Sequence, residues 1–97
     1  MVKSELVDMV HDNVVHTGKA RVSKRDVEAI VGEVFDVIQG TLTHGGDVRI
    51  AGFGVFETRQ RAARMGRDPR NQEAVEIPAT TVPVFRAGKK LKELVGA

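Results

Sequence analysis

Five arginines lie within twelve residues near the middle of this 97-residue chain, and they are the residues whose chemistry most clearly points to a function. They are Arg59, Arg61, Arg64, Arg67 and Arg70. The planar guanidinium group donates hydrogen bonds in a fixed geometry that suits phosphate oxygens and nucleic-acid grooves. The segment therefore predicts contact with a polyanion, and the alternative is a charged surface that is merely solvated.

The distribution of charge supports this interpretation, although the net charge is only +2. Residues 1–58 carry six basic and nine acidic side chains, whereas residues 59–92 carry nine basic and three acidic ones. Such asymmetry between the two halves of a chain indicates a polyanionic partner for the basic half.

Catalytic, metal and redox chemistry find little support. The chain has no Cys, which excludes disulfides and thiolate zinc sites. The three histidines lack the spacing of metal ligands; they are His11, His16 and His44. Asp68, Glu73 and Glu76 resemble a nuclease cluster only superficially, because they flank a flexible tip with no pocket to exclude water. There is no nucleophile–base pair and no glycine-rich phosphate loop. We therefore predict a protein that is not an enzyme, with no catalytic residue, metal or cofactor.

The size of the chain predicts an oligomer. Four Phe are its only aromatic residues, so 97 residues can build only a small core, and such cores are often completed by association. No apolar run is long enough for a transmembrane helix, so no membrane partner is expected. Residues 1–5 lack the apolar stretch of a signal peptide, and we expect a cytoplasmic protein.

Two amphipathic helices are predicted in the first half of the chain. Apolar residues at helical spacing indicate one helix from residue 4 to about residue 15, followed by a polar connector at residues 16–22. Ser23 is placed to cap a second helix by accepting a hydrogen bond from the Asp26 amide. Its apolar stripe continues to Leu42, and the pair Gly45-Gly46 ends it.

After residue 46 the apolar pattern changes to a period of two, which predicts strands. A tight turn is expected near Gly52, and Gly54 within the next strand predicts a bulge or a close backbone approach. Residues 64–72 have the composition of a loop. Strand character returns at residues 74–77 and 81–85, and a short helix is expected at 88–95. The hairpin around the loop has few large apolar residues, so we predict a binding arm.

Four motifs follow one another through this second half. They are Gly52-Phe53-Gly54-Val55-Phe56, residues 61–69 (RAARMGRDP), Ile77-Pro78-Ala79 and residues 82–92 (VPVFRAGKKLK). In this order, and with the helix starts at residues 3–7 and 23–26, they resemble the bacterial HU and integration host factor family of histone-like, DNA-bending proteins. The resemblance covers nearly the whole chain.

This resemblance implies an α+β fold. We expect an intertwined dimer with a helical body, a small antiparallel sheet and a long β-ribbon DNA-binding arm per subunit. One domain would span residues 1–97, with a helical dimerisation part at 1–46, the sheet and arm at 47–87, the arm tip at about 64–72 and the C-terminal helix at 88–97. The dimer core would contain four phenyl rings, those of Phe35, Phe53, Phe56 and Phe85.

The resemblance also implies a nucleoid protein that binds double-stranded DNA in the minor groove with low sequence preference and bends it. Pro69 at each arm tip would intercalate between base pairs. The implied DNA-binding residues are basic and come from arm and body: Lys3, Arg59, Arg61, Arg64, Arg67, Arg70, Arg86, Lys89 and Lys92. A homodimer is expected. Two alternatives stay open: a subunit of a site-specific heterodimer like integration host factor, and a dimeric module whose basic arms bind RNA or an acidic protein.

The chain departs from the family pattern at the arm tip and in the connector. Asp68 stands where the family usually has Asn, and Asn71-Gln72 replaces the usual Thr-Gly. Met65 stands where a basic residue is common, and the connector at residues 16–22 is longer than usual. A carboxylate beside Pro69 predicts weaker DNA binding or a changed salt dependence.

Overall fold

The computed structural model describes all 97 residues, and the chain divides into two compact units, residues 1–39 and 40–97. The elements, in chain order, are α1 (Lys3–His16), α2 (Lys24–Thr43), β1 (Val48–Ile50), β2 (Gly54–Arg61), β3 (Arg64–Arg67), β4 (Ala74–Ile77), β5 (Thr80–Ala87) and α3 (Lys89–Gly96). Three helices with antiparallel strands confirm the predicted α+β class. None of the helices has both the length and the apolar character that crossing a membrane requires.

In the helical unit, local hydrogen bonds set the start of α2 and hold the connector. The amide of Asp26 donates to the Ser23 hydroxyl at 3.0 Å, which confirms the predicted cap. The His11 ring nitrogen Nε2 lies 3.1 Å from the carbonyl oxygen of Val22 and so fixes the end of the connector on α1.

An ion pair joins α1 to the start of α2, and the two buried valines of the chain lie near it in the sequence. Val7 and Val27 are the only buried apolar side chains, at 3% and 4% exposure. Lys24 Nζ lies 2.6 Å from Asp8 Oδ1. Hydrogen bonding and charge attraction from Asp8 raise the pKa of Lys24 above its ordinary value. Lys24 is therefore charged at neutral pH, and the stabilisation that its raised pKa reflects is lost as the pH rises through that pKa.

In the second unit, a three-stranded antiparallel sheet has the order β1-β2-β5. The tight turn between β1 and β2 is where the sequence predicts it. Gly52 has φ +76°, a left-handed conformation that glycine adopts without strain, and the Phe53 amide donates to the Ile50 carbonyl at 3.0 Å. The Gly88 amide donates to the Phe53 carbonyl at 2.8 Å, which fastens the start of α3 to this turn.

The arm is a continuation of the β2–β5 pair. Arg61 opposes Thr80 at the end of that pair, and Arg64 opposes Ile77 at the start of the β3–β4 pair. Each partner has moved three residues, so the antiparallel register is unbroken across the interruption. Pro78 lies in the interruption and has no N–H to donate to a ladder. The sequence therefore forms one long hairpin with a proline break in it.

The prediction that residues 64–72 form a loop is wrong for the first four of them. Residues 64–67 are strand β3, paired with β4, so the arm tip consists of residues 68–73 only. The prediction was wrong because it was based on composition, and a glycine such as Gly66 usually weakens or interrupts a strand. Here the Ile77 side chain covers Gly66 across the ladder and fills the space that a Cβ atom would occupy.

Gly54 is the position where the backbone approach is closest, as the sequence predicts. A Cβ atom there would lie 2.6 Å from the Arg86 carbonyl oxygen and 2.7 Å from Phe85 Cζ. We expect Gly54→Ala to lower the free energy of unfolding by about 2–3 kcal/mol, because the backbone of β5 cannot move aside. Urea unfolding at fixed protein concentration measures this.

Gly66→Ala is the matched control for that substitution. A Cβ at Gly66 would meet Ile77 Cδ1 at 2.6 Å, but this atom is the end of a side chain that can change rotamer. The expected cost is therefore only about 0.5–1.5 kcal/mol. Equal losses for the two variants would contradict the close approach at Gly54.

Candidate nucleic-acid interface

The base of the arm presents two arginines on one face. Arg59 and Arg61 alternate along β2, opposite Val82 and Thr80 of β5, and residues two apart in a strand point to the same side. Both side chains are exposed, and neither has a hydrogen bond or an ion pair. They are therefore available to an external anion.

Farther along the arm, Arg64 and Arg67 lie on opposite faces of the ribbon, because their positions differ by three, an odd number. Arg64 is exposed and has no partner within the chain. Arg67 donates from Nη1 to the Gln72 carbonyl oxygen at 3.1 Å and so ties β3 to the far side of the tip. Both retain their full positive charge, since a carbonyl does not neutralise a guanidinium group.

The tip itself is a hydrogen-bonded turn that carries Pro69 outward. The Asp68 amide donates to the Glu73 carbonyl at 2.8 Å, and the Gln72 amide donates to the Asp68 carbonyl at 2.8 Å. Gln72 adopts φ +63°, the left-handed region, at this turn. Pro69 is exposed, as the predicted intercalating role requires.

Asp68 makes three further contacts, all with Arg70. Its Oδ1 accepts the Arg70 amide at 2.9 Å and Nε at 3.3 Å, and its Oδ2 accepts Nη2 at 3.2 Å. The side-chain and backbone hydrogen bonds from Arg70 hold the pKa of Asp68 below its usual value. Asp68 therefore remains ionised at neutral pH, and the pairing is lost only in acid, as the pH falls through that lowered pKa.

The predicted body residues fall in separate places. Lys3 begins α1 and lines a cavity of about 440 Å³ in the helical unit together with acidic residues of α2, namely Glu28, Glu33 and Asp36. Arg86 in β5 pairs with Glu57, Nε to Oε1, at 3.7 Å. Lys89 and Lys92 are exposed on α3.

Sequence reasoning missed two basic residues that the structure places with Lys89. Arg49 and Lys90 line the same cavity of about 330 Å³ beside the Gly52 turn. Lys90 could have been predicted from the sequence, because it directly follows the predicted DNA-binding residue Lys89. Arg49 carries no such signal, because only the β1–β2 pairing and the docking of α3 bring it to this cavity.

Three of the four phenyl rings predicted for a dimer core form one cluster. The Phe85 ring centroid lies 5.3 Å from that of Phe53 and 4.8 Å from that of Phe56. Phe53 and Phe85 are nevertheless 43% exposed. Phe35 belongs to the helical unit, where it lines a cavity of about 380 Å³ with Met1, Val2 and Leu6.

Comparisons with known proteins agree with these features. The family model described as bacterial DNA-binding protein matches residues 1–96. DNA-binding protein HU of Clostridium pasteurianum is 43% identical over 95 residues, 98% of each chain. DNA-binding protein HRm of Rhizobium meliloti is 47% identical over 95 residues, 98% of this chain and 99% of its own length.

Solved structures give the same result. A cocrystal structure of Anabaena HU with DNA has a TM-score of 0.86 at 43% identity, covering 98% of this chain and 97% of that one. HU from Thermotoga maritima has a TM-score of 0.61 at 30% identity and covers 98% of each chain.

Proposed function

Because this chain belongs to the HU family of bacterial DNA-binding proteins, we propose that it binds double-stranded DNA in the minor groove and bends it. The observation that carries the proposal is the arm. An exposed proline stands at the tip of a hydrogen-bonded ribbon, and unpaired arginines lie along the strands behind it. In this family, apolar wedges at the arm tips unstack base pairs from the minor groove.

The base and the tip of the arm have different roles in DNA binding. Arg59, Arg61 and Arg64 have no partner within the chain and contact phosphates without reading sequence. Pro69 enters a base step, and its fixed ring loses little side-chain entropy on insertion. Smoothly bending a duplex costs about 1–6 kcal/mol, and phosphate contacts along the flanks offset it. Because phosphate contacts do not read sequence, we expect low sequence preference. We propose that the protein acts in the nucleoid.

We propose a homodimer as the binding unit. Only two apolar side chains are buried in the single chain, while α1 and α2 expose a set of large apolar ones. That set is Met9, Val15, Ile30, Val34, Phe35 and Val37. The partly exposed phenyl cluster of the second unit needs a cover for the same reason. A second copy of the chain buries these surfaces and supplies the second arm.

Energy transfer between dyes at the two ends of a short duplex tests the function. Addition of the protein should raise the transfer, because bending shortens the distance between the ends. Saturable binding that leaves the transfer unchanged would mean that the arms coat the backbone without bending the duplex.

Arg61→Ala tests the proposed phosphate contacts. We expect weaker binding to every duplex and a salt slope lowered by about 1 for each lost contact, because fewer counterions are released. Titrations at several salt concentrations measure the slope. Arg21→Ala is the matched control, since it removes the same charge from the connector outside the proposed interface. Equal slopes for Arg61→Ala and the wild type would refute the contact.

A further inference from the structure

The arm tip carries less positive charge than its arginines suggest. Arg67 keeps its charge, because it is held only by a carbonyl oxygen. Arg70 is held by the ionised Asp68 through its backbone amide and two guanidinium nitrogens. The Asp68 side chain is 16% exposed and that of Arg70 is 88% exposed. The carboxylate is thus built into the turn, and it cancels the charge of an arginine that would otherwise be free.

The position of this carboxylate decides where its effect is felt. Asp68 directly precedes Pro69, so it accompanies the wedge into the groove. In undistorted B-DNA the minor groove is only about 6 Å wide, and both strands place phosphates close to anything inside it. A narrow groove also has a more negative potential. At a kink toward the major groove the minor groove opens, and the phosphates move away from the tip.

We infer that Asp68 is a specificity-determining residue, which lowers affinity for an intact, narrow minor groove more than for one already opened at a nick or kink. The inference rests on the proposed function and refines it. By cancelling Arg70, Asp68 removes one positive charge per tip where attraction to an intact duplex would be strongest. At an opened groove that charge would contribute less, so its removal costs less there. Asp68 therefore widens the difference in affinity between deformed and intact DNA.

The lowered pKa of Asp68 is consistent with this role, since the carboxylate stays charged at neutral pH. Arg70 cannot escape the pairing without leaving a carboxylate unpaired beside phosphates. If Arg70 moved to a phosphate, the Asp68 carboxylate would repel the same phosphates. This repulsion offsets the attraction between Arg70 and DNA. The arginines that have no carboxylate partner therefore make the phosphate contacts of the arm.

Asp68→Asn provides the test, because Asn keeps an oxygen that can accept the Arg70 amide and removes only the charge. Affinity is measured for an intact duplex and for the same sequence with a central nick, at several salt concentrations. We expect Asp68→Asn to bind the intact duplex about three- to tenfold more tightly, with a smaller gain on the nicked one. The preference for nicked DNA should fall about threefold or more, and the salt slope on the intact duplex should increase.

Two control variants test whether the effect depends on the position of the carboxylate at the tip and on its charge. Glu76→Gln removes an exposed carboxylate from β4, three residues from the tip, and should keep the wild-type preference. Asp68→Glu keeps the charge and should do the same. An unchanged preference in Asp68→Asn, or an equal change in Glu76→Gln, would overturn the inference. A wild-type protein that binds neither duplex would instead overturn the proposed function.

Discussion

Replacing Phe53 by Ala is expected to lower the stability of the dimer by ~3–5 kcal/mol, the usual cost of removing a buried phenyl ring from a core. The ring packs on Phe85, 5.3 Å between centroids, yet it is 43% exposed in the single chain. The full cost therefore arises only if a second chain covers the exposed part. A monomer would lose roughly half as much, in proportion to the area already buried.

Denaturant unfolding at two protein concentrations, about 100-fold apart, measures this effect. For a dimer the wild-type midpoint rises with concentration, since association stabilises the folded state by mass action. Met65→Ala is the matched control: Met65 is a large apolar residue of the arm, 66% exposed, and its loss should cost less than about 0.5 kcal/mol. A wild-type midpoint that does not move on dilution would contradict the shared core.

Pro69→Ala is expected to abolish most of the bend while leaving much of the affinity. The small, flexible alanine cannot hold a base step open as a rigid ring does, so the duplex regains the stacking that the wedge disrupts. The arginines behind the tip are unchanged and still contact phosphates. We expect the end-to-end transfer change to fall below about half of the wild-type value, because the cost of bending is no longer met. Binding to DNA that is already nicked should change little.

Pro78→Ala is the control for this substitution. Pro78 is exposed in the interruption at the middle of the arm, away from the tip, and its replacement should preserve the bend. A transfer change that is the same in Pro69→Ala and the wild type would exclude Pro69 as the wedge. A loss of binding to nicked DNA in Pro69→Ala would show that the tip holds the backbone instead.

Local signals in the sequence predicted most of the elements. Ser23 with the Asp26 amide marks the start of α2, and Gly52 marks the turn between β1 and β2, because a cap and a left-handed turn each depend on a few adjacent residues. The arm was recognised from its arginines and its lack of large apolar residues, which is a property of composition. The change of apolar period near residue 46 predicts helices followed by strands, and the family resemblance implies the α+β class.

The extent of β3 could not be predicted in the same way. Taken alone, Gly66 predicts a break in the strand, because the sequence does not show that Val75 pairs with it and that the diagonal neighbour Ile77 covers it. That pairing depends on an unbroken register over the whole hairpin, from Gly54 opposite Ala87 to Arg67 opposite Ala74. Register is a relation between distant residues, and no short window of sequence contains it.

The concentration of basic charge on an arm that contains a proline can be predicted from consecutive residues, because it depends only on their types and spacing. Which of those charges lack a partner depends on the folded chain. Arg70 is cancelled by Asp68, and Arg86 is paired with Glu57, whereas Arg59, Arg61 and Arg64 have no partner. The reason is physical: a side chain's effective charge depends on which groups the fold places within a few ångströms of it.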